Sequence, residues 1–228
     1  MLNYSVAELR MKIISYNISW CKQDKIDWLV AHPGVDAFVI PECGNEDNIM
    51  VPKGFQFFWM GEYATKGLGV LVRDGHKCEL AAWHDKNLRY TIPVIIDDKY
   101  LLLAIWPTKR VKTDSYVDIC FSILKAYESH IACYKTAIVG DYNIISNRKE
   151  SKPIFEWMEE HHLKSAHHTY CTEAIGKEQR PTYYHQYKET ATFFIDYAFT
   201  NTGVKDYKLY TWDESKRMSD HVPLMVEI

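Results

Sequence analysis

The chain lacks any run of eighteen or more apolar residues, so no segment is expected to span a membrane. Its opening, MLNYSVAELRMKIISYN, has no basic flank followed by a long apolar core, which excludes an ordinary secretory signal. Met11 begins a second plausible start, and residues 1–10 are expected to extend one domain that fills 1–228. No two cysteines form a CxxC pair. Cys21, Cys43, Cys78, Cys120, Cys133 and Cys171 are scattered, which argues against zinc sites and a dense disulfide framework. Buried, unpaired thiols in a reducing cytoplasm are the expectation. Repeats, heptads, low-complexity tracts and Gly/Ser linkers are also missing. So is a dominant charge: 27 Lys and Arg meet 30 Asp and Glu, a net −3. That disfavours a life of unspecific attraction to phosphate backbones, yet leaves room for a local basic rim.

What is present is a globular composition, 47% hydrophobic and 14% aromatic over 228 residues, enough for one large core. Short β-branched and aromatic runs bounded by Gly, Asp, Asn or Pro predict strands. They cover Lys12–Ile18, Ala37–Ile40, Phe55–Met60, Gly67–Arg73, Cys78–Trp83 and Tyr90–Ile96. Further runs are Tyr100–Trp106, Thr136–Gly140, Thr192–Thr200, Tyr207–Thr211 and Val222–Ile228. Apolar residues at three- and four-residue steps predict a helix over Ser115–Cys133. Shorter helices fit Gln23–Ala31 and Pro153–His161, the second with proline in its first turn. Many strands with interspersed helices predict two stacked sheets covered by helices. His168–Ala191 reads as a long polar loop of the functional kind.

Five apolar runs end in carboxylate, amide or imidazole side chains: IISYN at Asn17, FVIPE at Glu42, AIVGDYN with Asp141 and Asn143, FFIDY at Asp196, and MSDHVPL with Asp220 and His221. Strand ends let side chains from distant sequence converge on one rim. Oxygen and imidazole donors without thiolate suit a hard divalent ion such as Mg²⁺ or Mn²⁺.

These motifs resemble the endonuclease/exonuclease/phosphatase superfamily of DNase I-like and exonuclease III-like enzymes. GDYN is similar to its GD-aromatic-N motif, SDHVPL to its C-terminal SDHxP signature, and IDYAF, IISYN and PE to its remaining strand ends. The resemblance runs from Met11 to Ile228. It implies a four-layer α/β/β/α sandwich of two mainly antiparallel sheets and metal-dependent phosphoester hydrolysis. By motif, Asn17, Glu42 and Asp220 hold or surround the metal. Asp141, helped by Asn143, orients and deprotonates the attacking water. His221 stabilises charge on the phosphate, with Asp196 fixing its tautomer. One feature departs. Many relatives carry a catalytic His or Tyr where this chain reads LLLAIWPTK, and Trp106 offers only one N–H. The leaving-group acid stays unassigned.

The substrate is expected to be nucleic acid, DNA or RNA. Ten basic residues fall in four loops: Lys109, Arg110 and Lys112; Arg148, Lys149 and Lys152; Lys177 and Arg180; Lys216 and Arg217. Together they would form a positive collar around an acidic centre. Lys109, Arg148 and Arg180 are the candidate phosphate contacts, and Trp106 touches substrate without proton transfer. Tyr183 and Tyr184 either stack on bases or pack the loop. His161, His162, His167 and His168 lack metal-site logic and read as surface or helix-end residues. Trp20, Trp28, Trp59 and Trp83 read as core or boundary fillers. Two other functions remain open: a small-molecule or lipid phosphoesterase on the same fold, and a catalytically silent binding module.

Overall fold

The structure is a computed structural model, and residues 10–228 are described. The expected extension over 1–10 therefore lies, Arg10 apart, outside the described residues.

Two six-stranded mixed sheets carry the architecture. The first contains β1 (Lys12–Ser15), β2 (Ala37–Cys43), β3 (Phe55–Tyr63), β4 (Lys66–Arg73), β13 (Asp206–Leu209) and β14 (Leu224–Glu227), ordered β13-β14-β1-β2-β4-β3. The second contains β5 (Cys78–Leu80), β6 (Thr91–Ile96), β7 (Tyr100–Ile105), β8 (Lys135–Asp141), β9 (Lys164–Ser165) and β12 (Asp196–Thr200), ordered β5-β6-β7-β8-β12-β9. Each holds one parallel pair bridged by a helix. α1 (Gln23–Val30) joins β1 to β2, and α2 (Tyr116–Ile131) joins β7 to β8. Long crossovers are what parallel pairing demands. The sheets are antiparallel elsewhere, as expected.

Strand alternation builds the layers. Ile13, Ala37 and Val39 face a core shared with the second sheet, while Ile14, Phe38 and Ile40 face α1 through Ile26 and Leu29. On the other side α2 turns Cys120, Ile123, Leu124 and Tyr127 inward, the face its periodicity predicted. Ser115 caps it by accepting the Asp118 N–H at 3.3 Å. α3 (Lys152–Glu160) begins with proline in its first turn.

Several elements differ from the sequence expectation. β1 stops at Ser15 instead of Ile18, where its pairing with β14 ends at Leu224, although Tyr16 and Ile18 still donate to the Val39 and Pro41 carbonyls before the left-handed turn at Ser19 and Trp20. The run Thr192–Thr200 divides into β11 (Thr192–Phe193) and β12. At the break the Ile195 and Asp196 N–H groups both donate to the Thr182 hydroxyl, at 2.9 and 3.1 Å. β5 ends at Leu80 rather than Trp83. The polar stretch from 168 is not all loop: α4 (Ala166–Cys171) opens it, and β10 (Tyr183–Tyr184) pairs with β11.

Side-chain placement brings further corrections. His167 is 3% exposed, on Glu173 at 3.0 Å and against Phe194. His168 sits between the Ser165 hydroxyl and Glu178, so both stand at a helix end, the start of α4, and neither is a surface residue. Acids supplied by the following loop make their burial affordable. Trp20 is 72% exposed, not a core filler. The six cysteines are free, but only Cys43 and Cys120 are fully buried and Cys133 is exposed. Among the described residues no helix is long and apolar enough to cross a membrane.

Candidate active site

The seam between the sheets collects all five strand ends. In the second sheet β8 ends at Asp141, paired in register with Asp196 at the start of β12. Like charges directly opposite on one face repel, so this pair needs a cation. His221, just before β14 of the first sheet, supplies it. Its Nδ1–H donates to Asp196 Oδ2 at 2.9 Å, and its Nε2 lies 3.9 Å from Asp141 Oδ2. All three side chains are buried.

Burial would lower the His221 pKa, but the Asp196 carboxylate, helped by Asp141 and Asp220, raises it to about 9. Burial and the Asp196 charge push Asp141 up to about 7, against the opposing pull of His221. Asp141 is thus a carboxyl whose basicity approaches neutrality, the range a water-activating base needs.

Backbone geometry fixes these groups. Gly140, next to Asp141, has φ +152°, and a Cβ there would meet the Ile105 carbonyl oxygen at 1.9 Å. Asn143 is left-handed, at φ 54°, and its N–H donates to Asp141 Oδ1 at 3.0 Å. The Asn143 side chain donates to the Pro107 carbonyl at 3.1 Å, so it braces the β7 end rather than reaching Asp141. Asn17 donates from Nδ2 to Asp141 Oδ2 at 3.0 Å and accepts the Ser19 N–H at 3.0 Å. The Ser219 hydroxyl donates to the Asn17 carbonyl at 2.7 Å and accepts the His221 N–H at 3.1 Å, tying the SDH turn to β1.

The first sheet supplies the open half. A bulge between Pro41 and Cys43 leaves Glu42 outside the ladder, at φ 64°. A bulge re-aims a side chain, and here Glu42 turns to the seam. Its Oε2 accepts the Trp20 N–H at 3.3 Å and lies 3.1 Å from Lys66 Nζ. Asp220 is half-buried. Below them the buried Lys25 ammonium donates to the carbonyls of Ile18, Ser19 at 2.6 Å and Trp20 at 3.2 Å, supporting the two left-handed residues.

Of the predicted substrate contacts, Trp106 is buried and packs on Tyr90. Tyr183 covers the His221 ring, with centroids 4.6 Å apart. The Tyr184 ring stacks on Trp212 at 4.2 Å, the loop-packing alternative. Lys109 lies over Tyr116. Arg148 and Arg180 line one cleft of about 430 Å³; a neighbouring cleft of about 590 Å³ shares Arg148 and adds Lys149, Lys152 and Lys177. Several of these cations already have acidic partners: Arg110 with Glu62, Arg148 with Glu150, Lys152 with Glu156, and Arg217 with Asp213 and Glu189.

Sequence reasoning missed Gly140, Lys25 and Lys66. The glycine stands in the GDYN string itself. No pattern announces Lys66, which reaches Glu42 only through the register of β2 with β4.

No family model and no curated protein matches the sequence. Solved structures do. The AP endonuclease LMAP from Leishmania major superposes with a TM-score of 0.74 over 96% of this chain and 87% of that one, at 10% identity. The chain has the DNase I-like fold. An AP endonuclease from Archaeoglobus fulgidus gives 0.69 over 95% of this chain and 98% of its own, at 14% identity. The 3'-5' exonuclease NExo from Neisseria meningitidis gives 0.69 with the same coverages, at 15% identity. Within this DNase I-like fold, carboxylate, amide and imidazole donors without thiolate fit a hard divalent ion. Asp141, Asp196 and His221 place one ligand atom each within 4.8 Å of one another.

Proposed function

We propose that the protein is a divalent-metal-dependent phosphodiester hydrolase acting on nucleic acid. The observation that carries this reading is the buried Asn17–Asp141 and Asp196–His221 pairing at the seam, two hydrogen bonds that join four separate strand ends. The fold neighbours include AP endonucleases and a 3'-5' exonuclease, which favours DNA.

In this reading Asp141 Oδ2 takes a proton from a water held between it and the phosphorus. Asn17 and the Asn143 N–H keep that carboxylate aimed. His221, protonated and locked by Asp196, donates from Nε2 to a phosphate oxygen as charge builds there. An imidazolium cannot also be a metal ligand, so the ion belongs on the open half. Glu42 and Asp220, with the Asn17 amide beside them, would hold Mg²⁺ or Mn²⁺. Such an ion neutralises phosphate charge and so lets the water approach. Arg148, Arg180 and the adjoining lysines would carry the neighbouring phosphates.

The test is incubation with end-labelled duplex, abasic-site and single-stranded DNA and single-stranded RNA in Mg²⁺, Mn²⁺ or EDTA. Metal-dependent cleavage supports the proposal, and the product ladder separates internal from end-wise cutting. A folded, metal-binding protein that cuts none of them overturns the nucleic-acid assignment.

A further inference from the structure

Breaking a phosphodiester leaves an electron pair on the departing oxygen. The groups assigned so far do not attend to it. Asp141 serves the water and His221 an oxygen that stays on phosphorus, and the two meet across the seam at 3.9 Å. In-line attack puts the departing oxygen opposite the water, so a donor to it must stand apart from Asp141. Trp106, the residue after β7, is a buried indole with a single N–H and no side-chain acid to give.

Lys66, the first residue of β4, stands on the open half of the site, beside Glu42. Its Nζ is 3.1 Å from Glu42 Oε2 and 5.6 Å from the ring centroids of both Trp20 and Trp106. The ammonium is held above a site carboxylate by two indole faces, with 42% of its side chain still exposed. Glu42 is thus paired with a lysine, whereas Asp141 and Asp196 face the His221 imidazole. An exposed ion pair of this kind adds only about 0–1 kcal/mol to stability. Ordering a lysine costs up to about 2 kcal/mol of rotamer entropy. With the two cation–π contacts adding about 0.5–1 kcal/mol each, the arrangement roughly offsets its own ordering and contributes little net stability.

The geometry points to Lys66 as a catalytic residue, the cationic hydrogen-bond donor to the leaving oxygen. This inference rests on the hydrolase reading above. As the water oxygen bonds to phosphorus and its proton passes to Asp141, the opposite P–O bond breaks with its electron pair on the departing oxygen. An N–H of Lys66 hydrogen-bonds that oxygen, and solvent supplies the proton that completes the alcohol. Trp20 and Trp106 keep the ammonium from swinging into bulk water, and Glu42 sets its depth.

A donor to the leaving oxygen matters for a poor leaving group and little for a good one. Lys66→Met and Lys66→Arg are to be compared with the unaltered chain on end-labelled DNA and on the p-nitrophenyl ester of thymidine 5'-phosphate. The expected result for Lys66→Met is a loss of about 100-fold in kcat on DNA. The p-nitrophenyl ester should be cleaved at nearly the original rate, and Lys66→Arg should recover most of the DNA activity. Affinity for uncleaved DNA in EDTA, read by fluorescence anisotropy, should stay unchanged. Equal losses on both substrates, or a loss explained by weaker DNA binding, overturn the assignment while leaving the hydrolase reading intact. Failure of the unaltered chain to cleave either substrate, or the single-stranded RNA of the first test, overturns both.

Discussion

The two sheets contribute unequal halves to one site. The second-sheet half, Asp141 and Asp196 with His221 reaching across, is buried and closed by the His221–Asp196 hydrogen bond and by Asn17 donating to Asp141. The first-sheet half, Glu42 with Lys66 and Trp20, is open and mounted on left-handed backbone at Ser19, Trp20 and Glu42. Strained backbone of that kind persists where surrounding contacts hold it, here the Lys25 ammonium below the turn. A dry half tunes proton affinity through fixed neighbours; an open half can admit an ion and a substrate. The division of labour predicts which substitutions silence chemistry without touching the fold, and which do the reverse.

Asp141→Asn should have the largest effect on turnover, a loss of about 1000-fold or more if the carboxylate is the base. Its stability effect has the opposite sign. The folded-state pKa, about 7, lies above the ordinary 3.8, so ionising this acid weakens the fold as pH rises through that interval. The amide removes that penalty. A thermal melt at pH 8 should therefore place the variant level with or above the unaltered chain; a lower Tm would show that the charged carboxylate supports the dry half. Gly140→Ala should do the reverse. A methyl 1.9 Å from the Ile105 carbonyl cannot be relieved without parting β7 from β8. A cost above about 4 kcal/mol is expected from urea unfolding; a tolerated alanine would refute the close approach.

How far each half was legible in the sequence follows the same line. The dry half was, because Asp141, Asn143, Asp196 and His221 sit at the ends of apolar strands, where hydrophobic runs and polar clusters mark them directly. The layers and all three longer helices were legible for the same reason of periodicity. The open half was legible only in Glu42 and Asp220. Lys66 lies 24 residues from Glu42 and meets it through strand register and a bulge, neither of which composition records. Trp20 looked like core because tryptophan generally is, and only the left-handed turn carries it into solvent. The histidines at 167 and 168 do stand at a helix end, but they are not surface residues, because their burial depends on Glu173 and Glu178, acids in a stretch whose polarity suggested plain loop.

Removing one negative charge by a Glu→Gln change sharpens the contrast, because position decides what is lost. At Glu42, on the open half, stability should barely move, whereas Mg²⁺ or Mn²⁺ affinity read by calorimetry should fall about 10- to 100-fold. Unchanged affinity would move the ion from Glu42 to the buried acids. Glu178 is different. It accepts from His168 Nε2 and the Ser146 hydroxyl at 2.8 Å and from the Gly176 N–H at 3.0 Å, with 6% of its side chain exposed. Burial would raise its pKa, but those donors draw it from 4.5 down to about 2. A depressed carboxylate pKa contributes stability that is complete above pH 4.5 and vanishes as pH falls towards 2. Glu178→Gln should thus cost about 2 kcal/mol at pH 7, the scale of a hydrogen bond to a charged group. The gap to the unaltered chain should close as the pH is lowered through that window. A gap that persists undiminished at the acid end would mean that shape at this position, not charge, anchors the segment leading to Tyr183.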